Sequence, residues 1–146
     1  CHRRLALLNS AEAKQMFEQT LEDVRRWYRF DVFGYVVMPE HVHLLVSAPT
    51  KGKLSSAIQM LKQLVSRRVR YYDFNVMTDP KFMEKLKYIH RNPVKRGLAR
   101  EPQDWAWSSY RHYLTGEMAT VRIGSEMTFR QWEKQRMEPT FVRKPE

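Results

Sequence analysis

The sequence predicts an α+β fold, a small antiparallel sheet with helices packed on one face. Three observations predict it. Two stretches place apolar residues at helical spacing: Phe17, Leu21, Val24 and Tyr28, then Leu54, Ile58, Leu61, Val65 and Val69. Between them lie two short runs rich in aromatic and β-branched residues, Phe33 to Met38 and His41 to Ser47. The length of 146 residues suits one domain.

Each element has a local reason. Ser10 is placed to cap a helix from Ala11 to Arg26, with Glu12 and Glu18 nearby. Asp31 marks a turn. Pro39-Glu40 interrupts the two strand runs, and so short a break implies a hairpin. Ala48-Pro49-Thr50-Lys51-Gly52 reads as a loop. The second helix follows through Val69, decorated by Lys62, Arg67, Arg68 and Arg70. Tyr71 to Val76 suits a third strand. Asp79-Pro80 resembles a cap followed by proline at the first helical position. That last helix should run through Phe82, Leu86 and Ile89 and stop near Asn92, because Pro93 disfavours helical geometry in the residue before it. Gly97 suits a turn, and the stretch around Trp107, Tyr110 and Tyr113 suits a further helical turn or two.

The order is helix, strand, strand, helix, strand, helix. A strand ending near Leu5–Leu8 would complete a ferredoxin-like pattern, leaving one sheet face for a ligand. Residues 1–115 are expected to form the functional domain and 116–146 a C-terminal extension, mobile from Pro139 onward. The opening Cys1-His2-Arg3-Arg4 lacks methionine, so the natural N-terminus is expected to be missing.

Composition narrows the partners. Lys and Arg number 26 against 16 Asp and Glu, a net charge of +10. Such an excess on a small domain attracts polyanions, nucleic acid above all. No apolar run approaches the roughly 18–20 residues of a membrane span. The stretch Leu5–Leu8 is too short for a secretory signal. The single cysteine, Cys1, excludes an internal disulfide and fits a reducing cytoplasm.

Two motifs carry chemistry. His41 and His43 stand two apart on a strand, so both imidazoles project from one face and can share a divalent cation. The alternative is a pair of buried, hydrogen-bonded histidines. Tyr88 and Asn92 stand four apart on a helix, one turn from each other. An amide oxygen is a hard ligand suited to magnesium or manganese, and a phenol is a competent nucleophile once its ionised form is favoured. Taken alone, this second pair reads better as a core aromatic and a helix-terminal Asn before proline.

Three ordered segments resemble a known family. Met38-Pro39-Glu40-His41-Val42-His43-Leu44-Leu45-Val46 resembles the histidine motif of the REP-associated tyrosine transposases. Tyr88-Ile89-His90-Arg91-Asn92-Pro93-Val94 and Trp107-Ser108-Ser109-Tyr110 resemble the two segments that follow it there. The resemblance runs from about Leu5 to Leu114. It implies that His41, His43 and Asn92 bind the cation, Mg2+ or Mn2+, and that Tyr88 is the nucleophile. It also implies a single-stranded DNA endonuclease and strand transferase acting beside REP-type hairpins through a 5′-phosphotyrosine. The protein would then be nucleoid-associated, as a monomer or a homodimer.

Lys62, Arg67, Arg68, Arg91, Lys95 and Arg96 are the candidates to hold the DNA backbone. Trp105, Trp107 and Tyr110 could stack on bases, with core packing expected for at least two of them. The competing reading is a hairpin-binding protein that does not cut. A nucleotide hydrolase of the histidine-triad kind would need a third histidine where Leu45 stands.

Overall fold

The computed structural model describes residues 6–75 and 81–125, with 74 and 75 as backbone alone. Helix α1 spans Ala11–Tyr28. Ser10 caps it as expected, its hydroxyl accepting the Ala13 N–H at 3.1 Å. Phe17, Leu21 and Val24 form its buried stripe. Strands β1 (Val32–Val37) and β2 (His41–Val46) form the expected antiparallel hairpin, with Val36 beside His43. Then follow α2 (Leu54–Leu64), β3 (Arg70–Asn75), α3 (Phe82–Lys95), a short 3-10 turn and α4 (Tyr110–Thr115). No helix among the described residues is long and apolar enough to cross a membrane.

The α+β class holds, but the sheet is mixed. Its strand order is β1-β2-β3, and β2 pairs with β3 in parallel, His43 beside Tyr72. The connection explains this. Carrying α2 between β2 and β3 returns the chain to the end where β2 began, so β3 must run the same way.

Helices cover both faces of the sheet rather than one. On one face, Phe17 of α1 lies 6.0 Å from Tyr71, and the Tyr35 hydroxyl donates to Glu18 at 2.6 Å. On the other, Leu86 of α3 packs so close to Gly34 that a β-carbon there would lie 2.5 Å from Leu86 Cδ1. The face expected to lie open for a ligand therefore carries α3. Every residue of β2 is buried as a result, the two histidines included.

Two helix ends also differ from expectation. Helix α2 stops at Leu64, so Arg67 and Arg68 lie in a turn and Arg70 opens β3. Ser66 supplies the cause: its hydroxyl accepts the Arg68 N–H at 3.1 Å, a local bond that competes with helix. Helix α3, conversely, runs past Asn92 to Lys95 with Pro93 inside it. Proline lacks an N–H to donate back along the helix. The loss falls in the last turn, where Arg96 N still reaches the Asn92 carbonyl at 3.0 Å and Leu98 N the Pro93 carbonyl at 2.8 Å.

Of the strand expected near Leu5–Leu8, Leu5 is outside the described residues. Residues 6–8 form a turn rather than a strand, and Leu8 N donates to the Pro39 carbonyl at 2.8 Å. Val76, Asp79-Pro80 and the tail from Pro139 also lie outside the described residues. Beyond Gly116 the chain still joins the core: Val121 and Ile123 are buried, and Gly124 N donates to the Val32 carbonyl at 2.9 Å.

The outer edge of β1 is covered by the Trp107-Ser108-Ser109 segment. Val37 N donates to the Trp107 carbonyl at 2.9 Å, and Ser109 N donates to the Tyr35 carbonyl at 3.0 Å. Pairing of this kind blunts an exposed strand edge.

Candidate active site

The alternation of β2 turns His41 and His43 toward α3, with ring centroids 4.9 Å apart. Helix α3 presents Asn92 and Tyr88 to them from successive turns. Asn92 is buried, its Nδ2 lying 3.0 Å from His43 Nε2. The Tyr88 ring stands edge-on to His43, centroids 5.5 Å apart, and is 51% exposed. All four side chains predicted from the sequence thus meet at one place.

They line a cleft of about 1080 Å³ together with Tyr72. Lys87, Arg91, Lys95 and Arg96 also line it, against the single acidic residue Glu84. Tyr72 stacks on His43 at 4.9 Å with planes 23° apart. Burial, and secondarily the neighbouring His41, push the His43 imidazole down to about 4. The ring is therefore neutral at pH 7, the form that ligates a metal.

Two imidazoles and a carboxamide are a donor set that could hold a divalent cation. Amide N and O of Asn92 are interchangeable by a flip. Turned over, Oδ1 takes the place 3.0 Å from His43 Nε2. Adjacent oxygen or nitrogen ligands at about 2.1 Å from an octahedral cation are separated by about 3.0 Å. Among the described residues no group of three or more His, Cys, Asp or Glu side chains gathers for a metal. A site here therefore has to use the carboxamide beside the two imidazoles.

The six basic residues expected to hold DNA divide. Arg91, Lys95 and Arg96 line the cleft. Arg67 and Arg68 are exposed in the turn before β3 and do not line it. Lys62 holds its ammonium 5.8 Å from the centroid of Tyr71, on the opposite face of the sheet. Arg96 also serves the fold, its Nη2 lying 2.8 Å from Glu40 Oε1.

The aromatic candidates turn inward, as expected for most of them. Trp105 is buried and donates its indole N–H to the Val37 carbonyl at 3.0 Å. Trp107 packs against the core with the Lys14 ammonium 4.6 Å above it. Tyr110 meets His90 edge-on at 5.2 Å. None of the three lines the cleft. Ser109 ties this segment to α3: its hydroxyl lies 2.7 Å from His90 Nε2 and accepts the Tyr35 N–H at 3.0 Å. Burial pushes His90 down to about 3, so it is a neutral brace two residues from Tyr88.

Lys87 and Tyr72, which line the cleft, and Glu40, which contacts His41 from beside it, escaped the sequence reading. Glu40 had a signal, standing beside His41 in the quoted motif. Lys87 had one too, immediately before Tyr88. Tyr72 had none, because only the register of β3 against β2 sets it beside His43.

Comparison with known proteins bears on the family and the fold. Residues 1–92 match the family described as Transposase IS200 like. A REP-associated tyrosine transposase of Escherichia coli (strain K12) is 25% identical over 136 residues, covering 87% of this chain and 81% of the relative. The structure of a REP-associated tyrosine transposase bound to a REP hairpin superimposes with a TM-score of 0.64 at 23% identity, covering 88% of this chain and 82% of the other. Its likeness supports the same fold. The family match takes in both the strand that bears the histidines and the helix turn that bears Tyr88 and Asn92, and the chain belongs to the IS200-like transposase family.

Proposed function

We propose that this protein is a metal-dependent enzyme that cuts and rejoins single-stranded DNA beside REP-type hairpins, with Tyr88 as nucleophile. One observation carries the reading. Asn92 of α3 meets His43 of β2 at 3.0 Å with the Tyr88 phenol alongside, in a cleft lined by four basic residues. The hairpin as target is taken from the relative found bound to one.

His41, His43 and Asn92 would hold Mg2+ or Mn2+. Bound there, the cation would polarise a non-bridging phosphate oxygen and offset the charge that develops on it. The remaining work falls to the chain itself. Arg91 and Lys95 hold the phosphate backbone across the cleft. Tyr88 Oη attacks the phosphorus, and its proton passes to solvent. The bond from phosphorus to the 3′ oxygen breaks, and that oxygen takes up a proton and leaves as a hydroxyl. The downstream fragment stays on Tyr88 through its 5′ phosphate, as a phosphodiester. A 3′ hydroxyl from a second strand reverses the step and restores Tyr88, so no nucleotide is consumed. One chain supplies both halves of the cleft, so a single protomer suffices for this chemistry.

The test mixes protein, Mg2+ or Mn2+ and an end-labelled REP hairpin oligonucleotide. A covalent adduct on a denaturing gel is expected, lost in Tyr88→Phe and kept in Tyr110→Phe. An adduct that survives in Tyr88→Phe removes Tyr88 from the role. Tight hairpin binding with no adduct under either metal favours the non-cutting hairpin binder.

A further inference from the structure

The turn between β1 and β2 places a carboxylate where the motif chemistry does not require one. The Glu40 side chain is only 10% exposed. A buried carboxylate is costly unless paired. Glu40 has two partners on the same oxygen: His41 Nδ1 lies 3.1 Å from Oε1, and Arg96 Nη2 lies 2.8 Å from it. Arg96 follows the last residue of α3, and its backbone N–H reaches the Asn92 carbonyl at 3.0 Å. The contacts therefore run from Asn92 through Arg96 and Glu40 to His41, linking the helix that carries the phenol to the strand that carries the imidazoles.

We propose that Glu40 is a positioning residue for His41 and that Arg96 is the latch that holds Glu40 in place, so that the two sides of the cleft are set before DNA arrives. The inference rests on the reading above that His41 binds a cation. A carboxylate facing Nδ1 accepts the ring N–H as a hydrogen bond, which keeps the proton on Nδ1 and leaves Nε2 as the ligating nitrogen, with the ring orientation fixed. Arg96 balances the charge of that carboxylate and fixes Oε1 beside His41. Arg96 thus acts inside the fold, whereas Arg91 and Lys95 face DNA.

The test needs no catalysis. Ring nitrogens of the metal-free protein are read by 15N NMR, and Mn2+ uptake by the electron paramagnetic resonance of the free ion. Wild-type His41 should carry its proton on Nδ1, and Glu40→Ala should move it toward Nε2. Mn2+ affinity should fall about 10–100-fold in Glu40→Ala. It should fall less in Arg96→Ala and return with Arg96→Lys. Should Glu40→Ala fail to fold, the isosteric Glu40→Gln carries the same expectations in weaker form.

An unchanged tautomer together with unchanged Mn2+ affinity in the Glu40 variants overturns the proposal. So does loss of all Mn2+ binding in Glu40→Gln with the tautomer intact, which would make Glu40 a direct ligand. If Arg96→Ala weakens hairpin binding as Lys95→Ala does while Mn2+ affinity stays put, the latch is refuted. A wild-type protein that takes up no Mn2+ while its tautomer still answers to Glu40 sinks the metal assignment and leaves the hold on His41 standing.

Discussion

Ser109→Ala should destabilise the fold and slow the chemistry together, although Ser109 does not line the cleft. The Ser109 hydroxyl accepts the Tyr35 N–H at 3.0 Å and lies 2.7 Å from His90 Nε2. Alanine removes these contacts, with a longer one of 3.3 Å to the Tyr35 carbonyl, and leaves the Tyr35 N–H, in a buried strand, without that acceptor. An unsatisfied buried donor costs about 1–3 kcal/mol, and a second lost hydrogen bond about 1 kcal/mol. The sum is about 2–4 kcal/mol, a large share of the 5–15 kcal/mol typical of a domain. The backbone bond from Ser109 N to the Tyr35 carbonyl is unaffected, so the edge of β1 stays covered. Helix α3 is what loosens, because His90 ties it to β1 through Ser109, beside the packing of Leu86 on Gly34. Urea unfolding measures the first effect and adduct formation rate the second. Ser108→Ala is the control: that hydroxyl accepts the Tyr110 N–H at 3.1 Å in a local turn and should cost about 1 kcal/mol or less. A Ser109→Ala loss no larger than the Ser108→Ala loss would refute the brace.

Three further outcomes are expected. Gly34→Ala would put a β-carbon 2.5 Å from Leu86 Cδ1 and so displace Leu86. Such overpacking costs about 1–3 kcal/mol, read as a lower urea midpoint, with a slower adduct rate because Leu86 sits two residues before Tyr88. Asn92→Ala should abolish Mn2+ uptake yet keep hairpin binding in metal-free buffer, at a folding cost of about 1 kcal/mol for the lost His43 contact. Glu18→Gln should raise stability at neutral pH. Burial raises the Glu18 carboxyl, partly offset by its bond from Tyr35, so the folded state holds the proton more tightly than the unfolded state. Wild-type stability then falls as pH rises from the ordinary glutamate value of 4.5 through the raised one, and stays reduced above it. The advantage of Glu18→Gln should vanish as pH drops below 4.5; an advantage that persists there would contradict the assignment.

Much of the fold was legible because its signals are local. Ser10 and the Phe17-Leu21-Val24 stripe fix α1 within a few residues, and the break at Pro39-Glu40 fixes the hairpin. The parallel pairing of β3 was hidden because it depends on where the chain returns after α2. The covering of the second face did leave a trace. Tyr35-Val36-Val37-Met38 is continuously apolar, with no alternation, the mark of a strand buried on both sides. Read that way, the run places a helix over His41 and His43 and makes the cleft an interface between β2 and α3 rather than an open sheet face.

The site was legible pair by pair, and its assembly was not. Spacing sets His41 with His43 and Tyr88 with Asn92, while the meeting of the pairs depends on α3 lying across β2. Charge was the least legible property, for a reason that lies at the helix ends. The Ser66 hydroxyl draws the chain out of α2 at Leu64, which removes Arg67 and Arg68 from the helix that was to carry them. Pro93 does the reverse. Placed in the last turn of α3, it forfeits one backbone donor without ending the helix, and Lys95 and Arg96 stay beside Arg91 over the cleft. Counting basic residues therefore points toward a polyanion, but which of them reach the cleft is decided by one hydroxyl and one ring, each acting over a single turn.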